Sequence, residues 1–480
     1  MSYIIGIDIG TTNTKAVAFT DMGRVLADAN SSYAAFTGEE GMHELDPRAL
    51  WDAVLKVLSE VLSRTGGQAG LAGVSFSCAM HSLIAVDQQG ELLTRAMTWA
   101  DSRSRSFADK LKASEAGRLI YRQTGTPIHA MSPLCKLLWL REKEPDVFRR
   151  ATRFISIKEY IWWKLFGKYQ VDHSLASATG LFDIYRFTWY RESLELAGIR
   201  EDQLSEPVAC THKETGHRLE GLPKGLPFII GGSDGCLANL GSGVVKPGET
   251  ALTIGTSGAI RMTAQSPAYD AQERIFRYIL TPDLYVCGGA TNNGGGAVQW
   301  FATNLGGGRP VEELVRGAFE VAGSDGLIFL PYLLGERAPV WNADARGVFF
   351  GIKASHGRAH FMRAVLEGIG FSLRQVGVSL EETIGPIKHI YASGGFTHSP
   401  LWLQMMAEIF GRTVYTTGSA DASAIGACIM GAYALGIIPG LEEAATLIKI
   451  KDSYEPRRQD IYGPSYAIYT ELYGRLKDLM

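Results

Sequence analysis

The sequence lacks an excess of charge of either sign, and it lacks the motifs of the commonest nucleotide-binding folds. Its 480 residues include 47 Lys+Arg and 50 Asp+Glu, a net charge of −3. This balance argues against nucleic acid and against an anionic membrane as partners. There is no P-loop and no strand–GxGxxG–helix fingerprint. Glycine is abundant, with 55 residues, but has no period, so collagen-like and low-complexity chains are excluded as well.

Cysteine is scarce and scattered. The six cysteines form no C-x-x-C pair, which argues against a zinc site or a redox motif and suits a reduced compartment. The first ten residues have no basic segment of the signal-peptide type, so a cytoplasmic location is expected. Residues 422–441 carry no charge but are rich in Gly, Ala and Ser. We expect a small-residue helix buried in a core there, not a membrane span.

Strand and helix patterns alternate along the chain, and one pattern occurs twice. Apolar runs at Tyr3–Ile9 and 15–20 flank a Gly-Thr-Thr turn, and runs at 250–254 and 259–263 flank a Gly-Thr-Ser turn. The two turns lie 245 positions apart, about half the chain. This self-similarity predicts an α/β fold of two similar domains, residues 1–245 and 246–480.

These turns are the first candidate functional feature. A turn of Gly, Thr and Ser directs backbone N–H groups and hydroxyls into one small space, which suits phosphate oxygens. Taken singly, each also fits an ordinary tight β-turn. Asp8 and Asp234 each stand at the end of an apolar strand. A carboxylate there can bind Mg²⁺ through water or accept the proton of an attacking hydroxyl, although Asp234-Gly235 alone also fits a turn.

Together these pieces resemble the FGGY carbohydrate kinases, within the actin and hexokinase ATPase superfamily. The resemblance runs from Ile5 to about residue 440. It rests on the segment at residues 8–15 and on a long C-terminal signature at 347–352 and 360–367. A further family signature at 131–143 matches except at Lys143. The resemblance implies two similar ribonuclease H-like domains with a cleft between them.

The resemblance also implies roles for individual residues. Asp234 matches the catalytic base, and Asp8 matches a water-mediated Mg²⁺ contact. Met80, His81, Trp99 and Arg103 match the sugar side. The residues implied to contact ATP are Thr11, Thr12, Asn13, Lys15, Gly255, Thr256, Gly295, Gln299, Gly394, Gly395 and Ser399.

Within the family the sequence resembles the gluconate kinases. Gluconate has a carboxylate that xylulose and glycerol lack, so its site should contain a cation or several N–H donors. Lys158 is the first candidate for this role, followed by Arg103 and His129. An ordinary helix-surface lysine is the alternative interpretation of Lys158.

The expected reaction is transfer of the ATP γ-phosphoryl group to the 6-hydroxyl of D-gluconate, with Asp234 as general base and with Mg²⁺. The expected partners are therefore a sugar acid and ATP, with no nucleic acid and no membrane, and a homodimer stays open. One alternative is a kinase of xylulose, ribulose or another polyol. A more distant alternative is a non-catalytic, actin-like ATP-binding protein.

Overall fold

The structure is a computed structural model that describes residues 2–38, 41–418, 421–457 and 460–480. Its strands are β1 (Tyr3–Ile9), β2 (Asn13–Thr20), β3 (Val25–Ser32), β4 (Phe36–Thr37), β5 (His43–Leu45), β6 (Leu71–Cys78), β7 (Ile84–Val86), β8 (Ala96–Met97), β9 (Arg153–Ile155), β10 (Gln170–Asp172), β11 (Phe182–Asp183), β12 (Thr188–Trp189), β13 (Glu206–Val208), β14 (Lys213–Glu214), β15 (Phe228–Ser233), β16 (Glu249–Ile254), β17 (Gly258–Ala264), β18 (Phe276–Thr281), β19 (Leu284–Thr291), β20 (Ile328–Leu330), β21 (Val348–Phe350), β22 (His389–Ser393), β23 (Val414–Thr417) and β24 (Ile450–Tyr454).

The helices are α1 (Pro47–Arg64), α2 (Arg105–Lys112), α3 (Glu115–Thr124), α4 (Pro133–Lys143), α5 (Pro145–Arg150), α6 (Ile157–Phe166), α7 (His173–Ser177), α8 (Arg191–Ala197), α9 (Asp234–Gly241), α10 (Gly295–Asn304), α11 (Val311–Gly317), α12 (Arg358–Thr383), α13 (Pro400–Phe410), α14 (Ala422–Ala434), α15 (Ala444–Leu447) and α16 (Gly463–Leu476).

Two large sheets repeat one topology. The first has the order β14-β15-β6-β1-β2-β3, and the second has the order β18-β19-β17-β16-β22-β23-β24. In the first sheet β15, β6 and β1 are parallel, and β2 and β3 follow antiparallel. In the second sheet β23, β22 and β16 are parallel, and β17 and β19 follow antiparallel. The predicted α/β fold of two similar halves is confirmed.

The apolar pattern of the central strands follows from their cover on both faces. Strand β1 is buried along nearly its whole length, with helix α1 and helix α14 packed against it. Strands covered on both sides contain near-continuous apolar runs, as β1 does. Helix α1 begins at Pro47, because the Asp46 carboxylate accepts a hydrogen bond from the Arg48 amide (2.9 Å) and proline is favoured in the first turn.

Helices α9 and α14 follow equivalent strands of the two sheets, β15 and β23, and pack against each other. The predicted small-residue helix is α14, and nearly all of its residues are buried. In the described residues, no helix is both long enough and apolar enough to cross a membrane. The six cysteines are buried and unpaired. Residue 245 lies in the segment between α9 and β16, and the division of domains there stays a prediction.

Glycines set how closely these two helices approach. A side chain at Gly426 of α14 would overlap the Leu237 carbonyl of α9, and one at Gly241 of α9 would overlap the Ala422 carbonyl of α14. A side chain at Gly6 of β1 would overlap the Ala424 carbonyl in the same way. The absence of a Cβ at these positions therefore allows direct backbone contact of α14 with both α9 and β1.

We predict that Gly426→Ala lowers the free energy of unfolding by about 1–3 kcal/mol, because the added methyl group forces the two helices apart. The control is Gly474→Ala in α16, where a Cβ would meet no atom within 4 Å. This control should be neutral or slightly stabilising, since alanine favours helix over glycine. Denaturant unfolding of both variants checks the prediction, and equal stabilities would contradict it.

Candidate active site

The first Gly-Thr turn joins β1 to β2 at one edge of the first sheet. The Gly10 amide donates to the Asn13 carbonyl (3.0 Å), which closes the turn. Tyr33 fixes the same turn from the side, because its hydroxyl donates to the Gly10 carbonyl (2.6 Å). Thr11 and Thr12 stand at the tip, where Thr12 is exposed and Thr11 is half-buried.

Lys15 lies just beyond this turn on β2 and forms an ion pair. Its ammonium contacts the Asp421 carboxylate at 2.7 Å, with both side chains partly exposed. Asp421 is the residue before α14. The pair therefore ties the first turn to the start of α14, and its position at the protein surface leaves the ammonium accessible to other anions.

The second Gly-Thr turn joins β16 to β17 and is bound to the start of α10. The Gly295 amide donates to the Gly255 carbonyl (2.7 Å), and the Gly296 amide donates to the Thr256 carbonyl (2.9 Å). A Cβ at Gly294 would come within 2.5 Å of the Ser257 carbonyl oxygen. The glycine run at 294–296 is therefore required for this close approach. Gln299, predicted to contact nucleotide, lies exposed on α10.

The predicted adenosine loop lies beside the second turn. Strands β22 and β16 are parallel and adjacent, so their carboxyl ends meet at one edge of the sheet. Gly394 follows β22 with a φ of +96°, and a side chain there would overlap the Ile254 carbonyl. Gly395 starts a short 3₁₀ turn. Ser399 caps α13, where its hydroxyl accepts from the Trp402 amide (3.3 Å).

Asp8 lies at the end of β1, opposite Ser77 of β6. Its carboxylate accepts a hydrogen bond from the Ser77 hydroxyl (2.6 Å). Burial, together with the nearby negative charge of Asp234, raises the pKa of Asp8 to about 6. The surroundings of Asp8 in the protein therefore disfavour its ionised, carboxylate form.

Asp234 begins α9 directly after β15. Its neighbour Ser233 caps the helix by accepting from the Cys236 amide (3.4 Å), and the Asp234 carboxylate accepts from the Gly235 amide (2.8 Å). Burial raises the pKa of Asp234, and the positive charge of Arg261 opposes this rise. The carboxylate remains partly accessible at the wall of a cavity.

That cavity, with a volume of about 260 Å³, lies between the two turns. Thr11 of the first turn and Ser257 of the second turn both contribute to its wall. Its lining consists of Thr11, Met80, His81, Trp99, Met131, Asp234, Ser257, Gly258, Ala259, Arg261, Phe276, Tyr278, Ala290, Arg337 and Trp341. The structure therefore brings together four residues that the sequence predicts for the site of the acceptor substrate, Met80, His81, Trp99 and Asp234.

His81 lines the cavity with a neutral ring. Its backbone has a φ of +67°, which few non-glycine residues adopt. Its Nδ1 lies 2.8 Å from the Ala178 carbonyl and carries the proton, because a carbonyl can only accept. Burial lowers the pKa of His81 to about 3, so the ring is neutral. Its Nε2 is therefore an acceptor for a hydroxyl group.

Lys158 does not reach the cavity. Its ammonium donates to the Asp172 carboxylate (2.8 Å) and to the carbonyls of Ile230 (3.0 Å) and Gly232 (2.7 Å). An ammonium has three N–H donors, and these contacts use all of them. This geometry argues against the predicted role of Lys158 as a ligand of a substrate carboxylate.

The contacts of Lys158 have a structural purpose instead. Strand β15 is bulged, with a register shift between Ile229 and Gly232. At the bulge Gly231 has a φ of +69°, and a side chain there would overlap the Phe76 carbonyl. Lys158 binds the carbonyls of Ile230 and Gly232, which flank Gly231. Only Ser233 separates Gly232 from Asp234. Lys158 therefore fixes the strand end from which Asp234 emerges.

Arg103 and His129 also lie outside the cavity lining. The Arg103 guanidinium pairs with Asp101 (2.7 Å) and Glu44 (2.5 Å) and lies 4.6 Å from the ring centre of Trp139. It faces a separate surface groove. His129 is partly buried, and its Nδ1 accepts from the Met131 amide (3.2 Å). Because neither side chain lines the cavity, this geometry argues against their predicted role in binding an anion there.

Sequence reasoning missed two arginines that line the cavity. Arg261 interrupts the apolar strand β17, and Arg337 follows a buried glutamate, Glu336. Burial lowers the pKa of Arg261, and it lowers that of Arg337 to about 10. A charged residue in the middle of an apolar strand was the available signal for Arg261.

The arrangement of carboxylates fits a divalent cation held mainly through water. Among the described residues, no group of three or more His, Cys, Asp or Glu side chains could hold a metal ion. Asp8 offers hard oxygen atoms, and its pKa is raised first by burial and then by the nearby negative charge of Asp234, which a cation would offset. Mg²⁺ at phosphate sites is typically bound by one or two carboxylates, with water and phosphate completing the shell.

Comparison with known proteins finds matches that cover most of the chain. Residues 3–241 match the N-terminal domain of the FGGY family of carbohydrate kinases, and residues 250–435 match its C-terminal domain. The chain is 42% identical over 465 residues to the gluconokinase of Bacillus subtilis (strain 168), covering 93% of this chain and 90% of that protein.

Two solved structures from Lactobacillus acidophilus have the same fold. The gluconate kinase has a TM-score of 0.95 and 34% identity, covering 99% of this chain and 98% of that one. The ligand-bound xylulose kinase has the same TM-score and identity, with 99% of both chains covered.

We predict that Lys158→Met lowers the free energy of unfolding by about 3–5 kcal/mol, because it leaves the buried Asp172 carboxylate without its partner. The matched control is Lys168→Met, which removes an exposed pair with Glu214 and should cost no more than about 1 kcal/mol. Denaturant unfolding compares the two variants. Equal losses would show that Lys158 is not a buried structural cation.

The raised pKa of Asp8 predicts a pH dependence of stability. The folded state binds this proton more tightly than the unfolded chain, so ionisation of Asp8 destabilises the fold as pH rises from about 4 to about 6. Relative to Asp8→Asn, the wild type should lose about 3 kcal/mol over this range and then level off. Unfolding in metal-free buffer between pH 4 and 8 measures the difference. A pH-independent difference would contradict the assignment.

Proposed function

The chain belongs to the FGGY family of carbohydrate kinases, and on this premise we propose that it phosphorylates D-gluconate to 6-phospho-D-gluconate with ATP as donor. The observation that carries the proposal is one cavity that contains the Asp234 carboxylate together with residues of both Gly-Thr turns. The similarity to a gluconokinase over most of the chain supports gluconate as the acceptor. The equal likeness to a xylulose kinase structure makes a neutral ketose the second candidate.

In this proposal Asp234 acts on the terminal hydroxyl of gluconate. Its carboxylate accepts the proton of the 6-hydroxyl as the oxygen attacks the γ-phosphorus. The new O–P bond forms while the bond from the γ-phosphorus to the bridging oxygen of ADP breaks. A base that is partly accessible on a cavity wall, at the start of a helix, is suitably placed for this step.

The two Gly-Thr turns hold the phosphates on opposite sides. Backbone amides and hydroxyls of such turns stabilise charge that develops on phosphate oxygens. Thr11, Thr12, Asn13 and Lys15 act from the first sheet, and Gly255 and Thr256 act from the second. We assign Gly295, Gln299, Gly394, Gly395 and Ser399 to the rest of the nucleotide, because they lie on, or a few residues after, the two segments that contact the second turn. For Lys15, phosphate binding would compete with the Asp421 ion pair.

The sugar side consists of Met80, His81 and Trp99. The neutral ring of His81 accepts a hydrogen bond from a substrate hydroxyl through Nε2. Met80 and Trp99 supply apolar surface on which the carbon chain lies. Lys158 positions the strand that carries Asp234 and does not contact the substrate.

Mg²⁺, when bound, neutralises charge on the transferring phosphoryl group. Asp8 is the residue that we assign to hold it through water. The chain's own contribution is then mainly positioning and electrostatics, since phosphoryl transfer needs little covalent chemistry from the protein.

The direct test is release of ADP by the purified protein with gluconate, xylulose, ribulose, glycerol and other aldonates. Gluconate should give the highest kcat/KM, and the product should be gluconate 6-phosphate by mass spectrometry. If neutral sugars equalled gluconate, the substrate assignment would fail while the kinase assignment would survive. If no sugar promoted ADP release, both would fail.

We predict that Asp234→Asn lowers kcat about 10²–10⁴-fold, because the amide cannot accept the hydroxyl proton. The KM for ATP should change little, since Asp234 faces the acceptor and not the nucleotide. Steady-state kinetics with gluconate give both constants. Near wild-type turnover in this variant would rule out Asp234 as the general base.

A further inference from the structure

Three polar atoms in the residues that line the cavity lack a hydrogen-bond partner in the part of the chain that the structure describes. They are Nη1 of Arg261, Nε of Arg337 and the hydroxyl oxygen of Tyr278, each buried and without a hydrogen-bond partner among the described residues. Buried polar groups in proteins are nearly always hydrogen-bonded. Three such groups around one cavity therefore indicate a surface shaped for a polar ligand.

The charge of the lining specifies the sign of that ligand. Arg261 and Arg337 contribute two positive charges, and Asp234 contributes one negative charge. His81 is neutral because burial lowers its pKa to about 3. Tyr278 is neutral as well, since burial raises its pKa. The ionisable side chains of the lining therefore carry a net positive charge, which suits a ligand with a single negative charge.

The two arginines differ in the number of contacts that their guanidinium groups make within the protein. Arg337 donates from Nη2 to the Thr291 carbonyl (3.0 Å), and its guanidinium lies 4.7 Å from the ring centre of Trp99. Nη1 of Arg261, by contrast, is buried and has no hydrogen-bond partner among the described residues. Arg337 is thus partly structural, whereas the planar fork of Arg261 is free to bind a carboxylate by two parallel hydrogen bonds.

We propose that Arg261 is the specificity-determining residue of this enzyme and that its guanidinium holds the carboxylate of the sugar acid, with Arg337 as an auxiliary donor. The inference rests on the proposed function. It assigns the acid end of the substrate to Arg261 and the terminal hydroxyl to Asp234, both in one cavity. It also replaces Lys158 and Arg103, whose charges are paired elsewhere.

Arg261 could instead serve only to adjust the pKa of Asp234, and an experiment distinguishes this role from binding of a carboxylate. Its charge also lowers the pKa of Asp234, so Arg261 would affect every acceptor equally if it served only to tune the base. A carboxylate ligand, by contrast, affects only acidic acceptors. The neutral analogue of gluconate, D-glucitol, has the same carbon chain with a hydroxymethyl group in place of the carboxylate, and is therefore the matched probe.

The test compares Arg261→Met, Arg261→Lys and the control Arg412→Gln, which changes a partly exposed arginine outside the cavity. Binding of gluconate and of D-glucitol is measured by calorimetry without ATP, and kcat and KM are measured with gluconate. Arg261→Met should weaken gluconate binding by about 10²–10³-fold and leave glucitol binding nearly unchanged. Arg261→Lys should recover part of the loss, because it keeps the charge but not the fork. The control should match the wild type.

Equal losses for gluconate and glucitol in Arg261→Met would overturn the proposal, as would an unchanged gluconate affinity. If Arg261→Met fails to fold, Arg261→Lys decides the question, since a loss confined to gluconate supports the proposal and no loss contradicts it. Failure of the proposed function looks different, because the wild type itself would then show no phosphorylation of gluconate.

Discussion

The direct backbone contact between helices α9 and α14 is the constraint on which the site depends. The two helices follow equivalent strands of the two sheets, and glycines at 241 and 426 allow their backbones to touch. Asp234 is the first residue of α9, and Asp421, paired with Lys15, immediately precedes α14. The packing of one helix pair thus joins the sheets, places the proposed base and ties down the first Gly-Thr turn. Any residue with a side chain at the crossing would disturb all three.

Charge is the second organising feature of the site. Burial raises the pKa of both carboxylates, Asp8 and Asp234, and the negative charge of Asp234 raises that of Asp8 further. On the acceptor side, Arg261 and Arg337 supply positive charge in the same cavity. Such an arrangement is costly in the absence of ligands, because buried charges lose their hydration. The cost is offset when a cation and anionic substrates bind, which is how electrostatic preorganisation serves phosphoryl transfer.

Much of the fold follows from local sequence patterns. The two hairpins and the buried helix α14 are confirmed, because apolar strand runs, turn residues and small-residue composition act over short distances. The cavity residues Met80, His81, Trp99 and Asp234 were also predicted, through strand ends and the family resemblance. The roles of the nucleotide-side residues stay predictions.

The partners of charged side chains could not be predicted in the same way. Lys158 is bound by Asp172 and by two carbonyls more than seventy residues away, at the register shift of β15. Arg103 is engaged by Glu44, fifty-nine positions earlier in the chain. The charge of Arg261 stands out in an otherwise apolar strand, but only the folded sheet shows that Arg261 lines the cavity.

The most direct test of these assignments is a crystal structure with gluconate and a non-hydrolysable ATP analogue. It should place the 6-hydroxyl about 2.6–3.2 Å from the Asp234 carboxylate and the γ-phosphate between the two Gly-Thr turns. Gluconate bound outside this cavity, or with its 6-hydroxyl away from Asp234, would contradict them.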